Sequence, residues 1–153
     1  MSETKVIELS NNFAAVRKSV TGNMLMAAAE AGGGVVETYA KLNVSRGRPG
    51  LNVDTGNLVN SISVAKGSQS ETYAEVSVGP SDVEYAAIHE FGGVIMPLRA
   101  KMLSWVEDGV RVFAKMVHIP ARPYMRPALD EHVDDITKAV ETVLRLEIER
   151  AAQ

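Results

Sequence analysis

The chain has 153 residues, enough for one domain with a real core, and 46% of them are hydrophobic although only three are Phe and one is Trp. A formal net charge of −3 argues against a dedicated, sequence-independent grip on nucleic acid, which normally requires a basic surface. The absence of cysteine excludes disulfides and thiol chemistry, and no apolar run approaches the ~20 residues of a membrane-crossing helix.

The opening Met-Ser-Glu-Thr-Lys lacks the charged-then-apolar layout of a signal peptide, so the expectation is a protein made in the cytosol. Residues 5–43 then read as helix. Leu9, Phe13, Val16, Val20, Met24, Ala27, Ala31, Val35, Tyr39 and Leu42 recur at steps of three and four, with Ser10 or Asn11 available as a cap. The Gly32-Gly33-Gly34 triplet interrupts this pattern at a cost of ~3 kcal/mol relative to alanine. Because the phase survives the triplet, the expectation is a continuous or mildly kinked helix whose glycines press against another backbone. A hinge between two helices is the alternative. A phosphate-binding loop does not fit, since no strand precedes the glycines and neither nucleotide fingerprint matches.

Residues 44–54 form the most loop-like segment, punctuated by Gly47, Pro49 and Gly50 and made locally basic by Arg46 and Arg48. It reads as a solvated loop, or as an arm that orders against a neighbouring subunit or DNA. Asp54 or Thr55 is placed to cap a short helix containing Leu58, Val59 and Ile62. From there the apolar period changes to two. Strands are expected near 61–66 and 72–79, joined across Gly67–Glu71 as an antiparallel hairpin with one buried face.

Ser81 or Asp82 is expected to cap a helix from Val83 to Phe91, closed by Gly92. After a short extended piece, 101–106 and 110–119 read as two further strands turning at Glu107-Asp108-Gly109. Ile119–Leu129 follows, with three of the six prolines. Proline fixes φ and restricts the residue before it, so Arg122 and Arg126 should sit on a stiff elbow. From Pro127 to residue 150 a final helix carries Leu129, Val133, Ile136, Val140, Val143 and Ile148 as one stripe. Acidic residues fall in its first turns and Arg145 and Arg150 in its last, a polarity that suits the helix dipole. The expected fold is a single α+β domain: an antiparallel sheet of about four strands across 55–126, packed against a long N-terminal and a C-terminal helix.

No constellation for catalysis emerges. His89, His118 and His132 lack metal-ligand spacing, and no serine sits in a nucleophile elbow. Catalytic, cofactor and metal sites are all expected to be absent. His89 reads as a satisfied or half-exposed helix residue beside Glu90. Arg122 and Arg126 are the charged pair of greatest interest, because proline-held guanidinium groups lose little freedom on engaging a carboxylate. They would serve either as an internal ion pair, to Glu90 or Asp130, or as a contact across a subunit interface.

Tyr85–Gly93, Ile119–Leu129 and Asp54–Ser63, in that arrangement, resemble segments of the head–tail joining or tail-completion proteins of long-tailed bacteriophages, often described as minor tail components. The virion-morphogenesis proteins of Mu-like phages carry similar stretches, and Asp54–Ser63 is similar to the Thr-Gly-x-Leu-x-x-Ser-Ile motif of the family. The resemblance implies a non-enzymatic virion protein without cofactors, assembled in the host cytoplasm. It would form a homo-oligomeric ring, commonly six-fold, at the head–tail junction between the capsid connector and the tail tube or its terminator. Genomic DNA would pass through the lumen without specific binding, and no membrane is involved. A tail terminator or other minor tail protein is the neighbouring alternative. A DNA-binding assembly factor using Arg46, Arg48, Lys66 and Lys101 is a more distant one.

Overall fold

The computed structural model describes residues 22–45 and 56–151. The fold is α+β, as expected. Helix α1 (Gly22–Ser45) is followed by the one-turn helix α2 (Asn57–Ser61) and the strands β1 (Ile62–Gln69) and β2 (Ala74–Pro80). Helix α3 (Ala86–Phe91) leads into β3 (Gly93–Ile95), β4 (Leu103–Glu107), β5 (Val110–Ala114) and β6 (Val117–Ile119). Helices α4 (Met125–Asp130) and α5 (Val133–Ala151) complete the order. Residues 5–21 of the expected first helix and the basic loop with Arg46 and Arg48 lie outside the described residues. So do the candidate caps Ser10, Asn11, Asp54 and Thr55.

Helix α1 runs unbroken through the glycine triplet and continues to Ser45, so Val44 and Ser45 belong to helix rather than to the loop expected from residue 44. Its buried face is not the Val35–Tyr39–Leu42 stripe. It is Met24, Met26, Ala28, Gly32, Gly33, Val36, Ala40, Asn43 and Val44, so that Met24 of the expected stripe is buried while Ala27 is exposed. Glycine counts as a breaker in a periodicity reading, yet here it is contact surface. A Cβ on Gly32 would stand 2.9 Å from a methyl of Val140 in α5, and one on Gly33 would stand 3.0 Å from a methyl of Val64 in β1. Gly32 and Gly33, which meet side chains rather than the backbone expected, thus let α5 and the β1–β2 hairpin close onto adjacent faces of α1, and that packing offsets their helix-propensity cost.

Gly34 differs, since a Cβ there meets nothing within 4 Å. Gly34→Ala is therefore expected to raise stability by about 0.5–1 kcal/mol through helix propensity and lost unfolded-state freedom. Gly32→Leu should lower stability by about 3 kcal/mol through overpacking against α5. Denaturant unfolding of the two variants reads both effects, and equal effects at the two positions would contradict this packing.

The strands form three separate two-stranded antiparallel ribbons, β1–β2, β3–β6 and β4–β5, rather than one sheet of about four. In β1–β2, Val64 faces Val78, and a register shift falls between Lys66 and Gln69. The expected strand over 110–119 is divided at Lys115 and Met116, because its two halves pair with different partners. Val110–Ala114 pairs with β4, and Val117–Ile119 pairs with β3. The β4–β5 turn is the expected one, with Asp108 and Gly109 both at positive φ (49° and 80°), as a tight hairpin twist favours.

The core gathers Val36, Ala40 and Val44 of α1 with Leu58, Ile62, Ala86, Tyr124 and Ala128. Ile62 and Tyr124 are its largest fully buried side chains. Helix α5 lies along α1, where Tyr39 stacks on His132 with ring centroids 3.3 Å apart. The Tyr39 hydroxyl also donates to Asp135 at 3.0 Å. This hydrogen bond, with the carboxylate charge behind it, holds the Tyr39 phenol above its usual pKa.

Candidate functional site

The two most distinctive stretches of sequence, 85–93 and 119–129, are locked together. Helix α3 begins at Ala86, three residues later than expected. Asp82 takes a positive φ of 54°, and a turn closes from the Ala86 N–H to the Val83 carbonyl. Neither Ser81 nor Asp82 caps the helix; its cap position is Tyr85, which has no side-chain cap bond. Gly92 ends α3 at positive φ as expected, its N–H donating to Ile88 O at 2.9 Å, but with ψ of 178° rather than a left-handed helical value. That geometry turns the chain straight into β3, where Gly93, Val94 and Ile95 pair with Ile119, His118 and Val117. Three residues beyond β6 the Arg122 N–H donates to His89 O at 2.7 Å.

Glu90 closes the clasp. Its Oε2 accepts the backbone N–H groups of Tyr124 (2.7 Å) and Met125 (2.9 Å), and its Oε1 accepts that of Arg126 (3.0 Å). These are the amides at the start of α4, which a helix cannot satisfy internally. The next residue, Pro127, has no N–H to satisfy. The elbow therefore presents three donors and then none, and one carboxylate from a distant helix takes all three. The final helix expected from Pro127 is accordingly two helices. The short α4 is anchored by Glu90, and after a break at Glu131 and His132 the chain resumes as α5.

Both oxygens of Glu90, one of the two carboxylates considered as an ion-pair partner for the arginines, face backbone amides. Arg122 is half-buried, with its guanidinium near enough to His89 to disfavour the imidazolium. Arg126 is exposed and forms no ion pair among the described residues. Of the other basic candidates, Lys66 pairs with Glu30 at 3.0 Å, and Lys101 is exposed in the segment before β4.

Two residues not singled out by sequence complete the arrangement. The Asn43 side chain, buried in α1, donates to the Tyr124 carbonyl at 3.0 Å. Tyr124 itself is 1% exposed, its hydroxyl lying 3.5 Å from the Ala86 carbonyl. Burial first, and the charge of Glu90 second, push the Tyr124 phenol up to about 12, so it stays protonated at any physiological pH. Asn43 shares the helical phase of Val36 and Ala40, and a polar residue in an apolar phase was the available signal for it.

Of the two states expected for His89, satisfied or half-exposed, the side chain shows partial exposure together with an unpaired ring nitrogen. It is half-buried and meets Tyr85 edge-on at 5.7 Å, and its Nδ1 is buried without a hydrogen-bond partner among the described residues. Burial chiefly, with Arg122 adding to it, lowers its pKa below the ordinary 6.5. The unfolded chain then binds the proton more readily, so stability present at neutral pH is lost as pH falls from 6.5 through the folded-state value. His89→Gln should narrow the difference in unfolding free energy between pH 7 and pH 5. An unchanged difference would place the acid sensitivity elsewhere.

No group of three or more potential metal ligands occurs among the described residues, and no described helix is long and apolar enough to cross a membrane. A groove of about 1050 Å³ opens beside the clasp, bounded by α1, β2, α3, α4 and α5. Its wall is mainly apolar, and the one carboxylate deep at the clasp, Glu90, is already engaged by backbone amides. Among the described residues the arrangement offers a shaped, mainly apolar surface.

No curated protein and no solved structure was found to match the chain. A family match, however, extends over residues 16–149 and so takes in α1, the clasp and most of α5. The chain belongs to the phage virion morphogenesis family, and its role lies in the structure or assembly of the virion.

Proposed function

We propose that this protein is a structural component of the phage neck, a tail-completion or head–tail joining protein that forms a ring between the capsid connector and the tail. The observation that carries this reading is the clasp. The segments that resemble tail-completion proteins of long-tailed phages, 85–93 and 119–129, are used to fix α3, β3, β6 and α4 rigidly to one another. They do not gather reactive side chains. A part repeated around a ring must keep its shape while presenting two different surfaces to its neighbours, and such a clasp serves that need without catalysis.

On this reading the neighbours are the connector or adaptor on one side and the tail terminator or tube on the other, with a six-fold ring as the expected symmetry. Genomic DNA passes through the lumen without specific contacts, as suits a chain of net charge −3. Disrupting the gene should leave filled heads and separate tails, and adding the purified protein to that mixture should restore infectious particles. Joined, infectious particles formed without the protein would overturn the reading.

A further inference from the structure

The β4–β5 ribbon stands apart from the rest of the fold. It pairs only with itself, and no other described element is packed along it. A lone two-stranded ribbon is marginal in water. This one nevertheless exposes Val106, Val110 and Phe113 at 63%, 65% and 59%, with Trp105 also exposed. Arg99, Lys101, Arg111 and Lys115 accompany it and make no ion pair among the described residues. The only acidic residues between Arg99 and Lys115 are Glu107 and Asp108, so the projection is net basic.

The groove beside the clasp is its complement. Its floor is apolar, and Phe91 and Leu129 on its lining are 70% and 52% exposed. The charged residues lining it are Glu75, Asp82, Glu90 and Asp130 against Arg126 alone, so it is net acidic. No residue of the ribbon lines the groove of its own chain. An apolar projection with a basic margin and an apolar cleft with an acidic margin therefore lie on different surfaces of one molecule.

We propose that the β4–β5 ribbon of one copy docks in the groove bounded by α1, β2, α3, α4 and α5 of the next copy. Because the two surfaces differ, the contact is head-to-tail. It propagates from copy to copy and makes a ring when the rotation closes. This deepens the neck-ring reading by naming the surfaces through which copies would join.

The absence of native cysteine makes the test direct. Cysteine is placed at Phe113 on the ribbon, at Leu129 on the groove, or at both, in the full chain; both sites are exposed, so the variants are expected to fold. Under mild oxidation at high protein concentration, the Phe113→Cys/Leu129→Cys double variant should give a ladder of linked species. A mixture of the two single variants should give linked dimers, and each single variant alone should give none. Arg111→Glu with Lys115→Glu should weaken association roughly tenfold, and salt should weaken the unmutated protein in the same direction.

A protein that stays monomeric at high concentration would overturn the proposal. So would an oligomer that yields no cross-link between the two positions, or one in which Phe113→Cys links to itself. Failure of the neck reading is separable from these results: the ladder would form while the protein proved absent from the head–tail junction.

Discussion

Replacing Glu90 with alanine is expected to cost about 3 kcal/mol of folding stability. One carboxylate accepts three backbone N–H groups at 2.7, 2.9 and 3.0 Å. Hydrogen bonds to a charged acceptor are worth about 1.5–3 kcal/mol each. Bonds that share one acceptor do not add, and the half-buried site lets water recover part of the loss, so the whole falls well below three times that value. Glu90→Gln keeps the shape but replaces one acceptor oxygen with a donor, and should cost about half as much. Denaturant unfolding gives the magnitudes. Amide hydrogen exchange gives the location, since protection should fall first at Tyr124, Met125 and Arg126. A loss under about 0.5 kcal/mol, the range of ordinary surface substitutions, would show that the carboxylate does not hold the elbow.

Gly92→Ala should be comparably damaging, at about 3–4 kcal/mol. At φ 71° and ψ 178°, Gly92 occupies a region that other residues enter only at a cost of about 1–3 kcal/mol. A Cβ there would also stand 2.7 Å from the Ala121 backbone nitrogen and 3.0 Å from the Ile119 carbonyl oxygen. Backbone on both sides leaves no flexible side chain to give way. Withdrawal would open the Gly93–Ile119 end of the β3–β6 ladder. The Arg122 amide, which donates to His89 O next to this contact, should lose exchange protection in the variant. A loss below about 1 kcal/mol would mean that α3 and the elbow do not approach as closely as this geometry requires.

Both substitutions act where segments distant in sequence meet. The aim of the expected features differed from their presence. The stiff corner at Ile119–Leu129 was legible from its prolines, and the need to end a helix at Gly92 was legible from composition. That the corner offers three free amides, and that Glu90 supplies the acceptor, follows from bringing α3 beside α4 across more than thirty residues of chain. Arg122 and Arg126 drew notice as charges, yet at Arg126 the contact made to Glu90 uses the main-chain N–H. At the ribbon, alternation identified the strands and the Asp108-Gly109 turn. It was blind to the fact that Val106, Val110 and Phe113 would stand exposed on a ribbon paired only with itself among the described strands.

By itself the sequence determined what depends on neighbours along the chain. That comprises helical and strand periods, the turns at glycine and proline, the α+β class, and a family resemblance carried by short ordered segments. Only the tertiary structure decided which face of α1 is buried, how the strands divide into three ribbons, and what Glu90 binds. The reason is that these depend on contacts between residues far apart in the chain, where a glycine is equally a helix breaker or a seat for another helix. At Gly32 and Gly33 the choice fell to Val140 and Val64, which approach within a methyl's breadth and make the absence of a side chain the condition for packing.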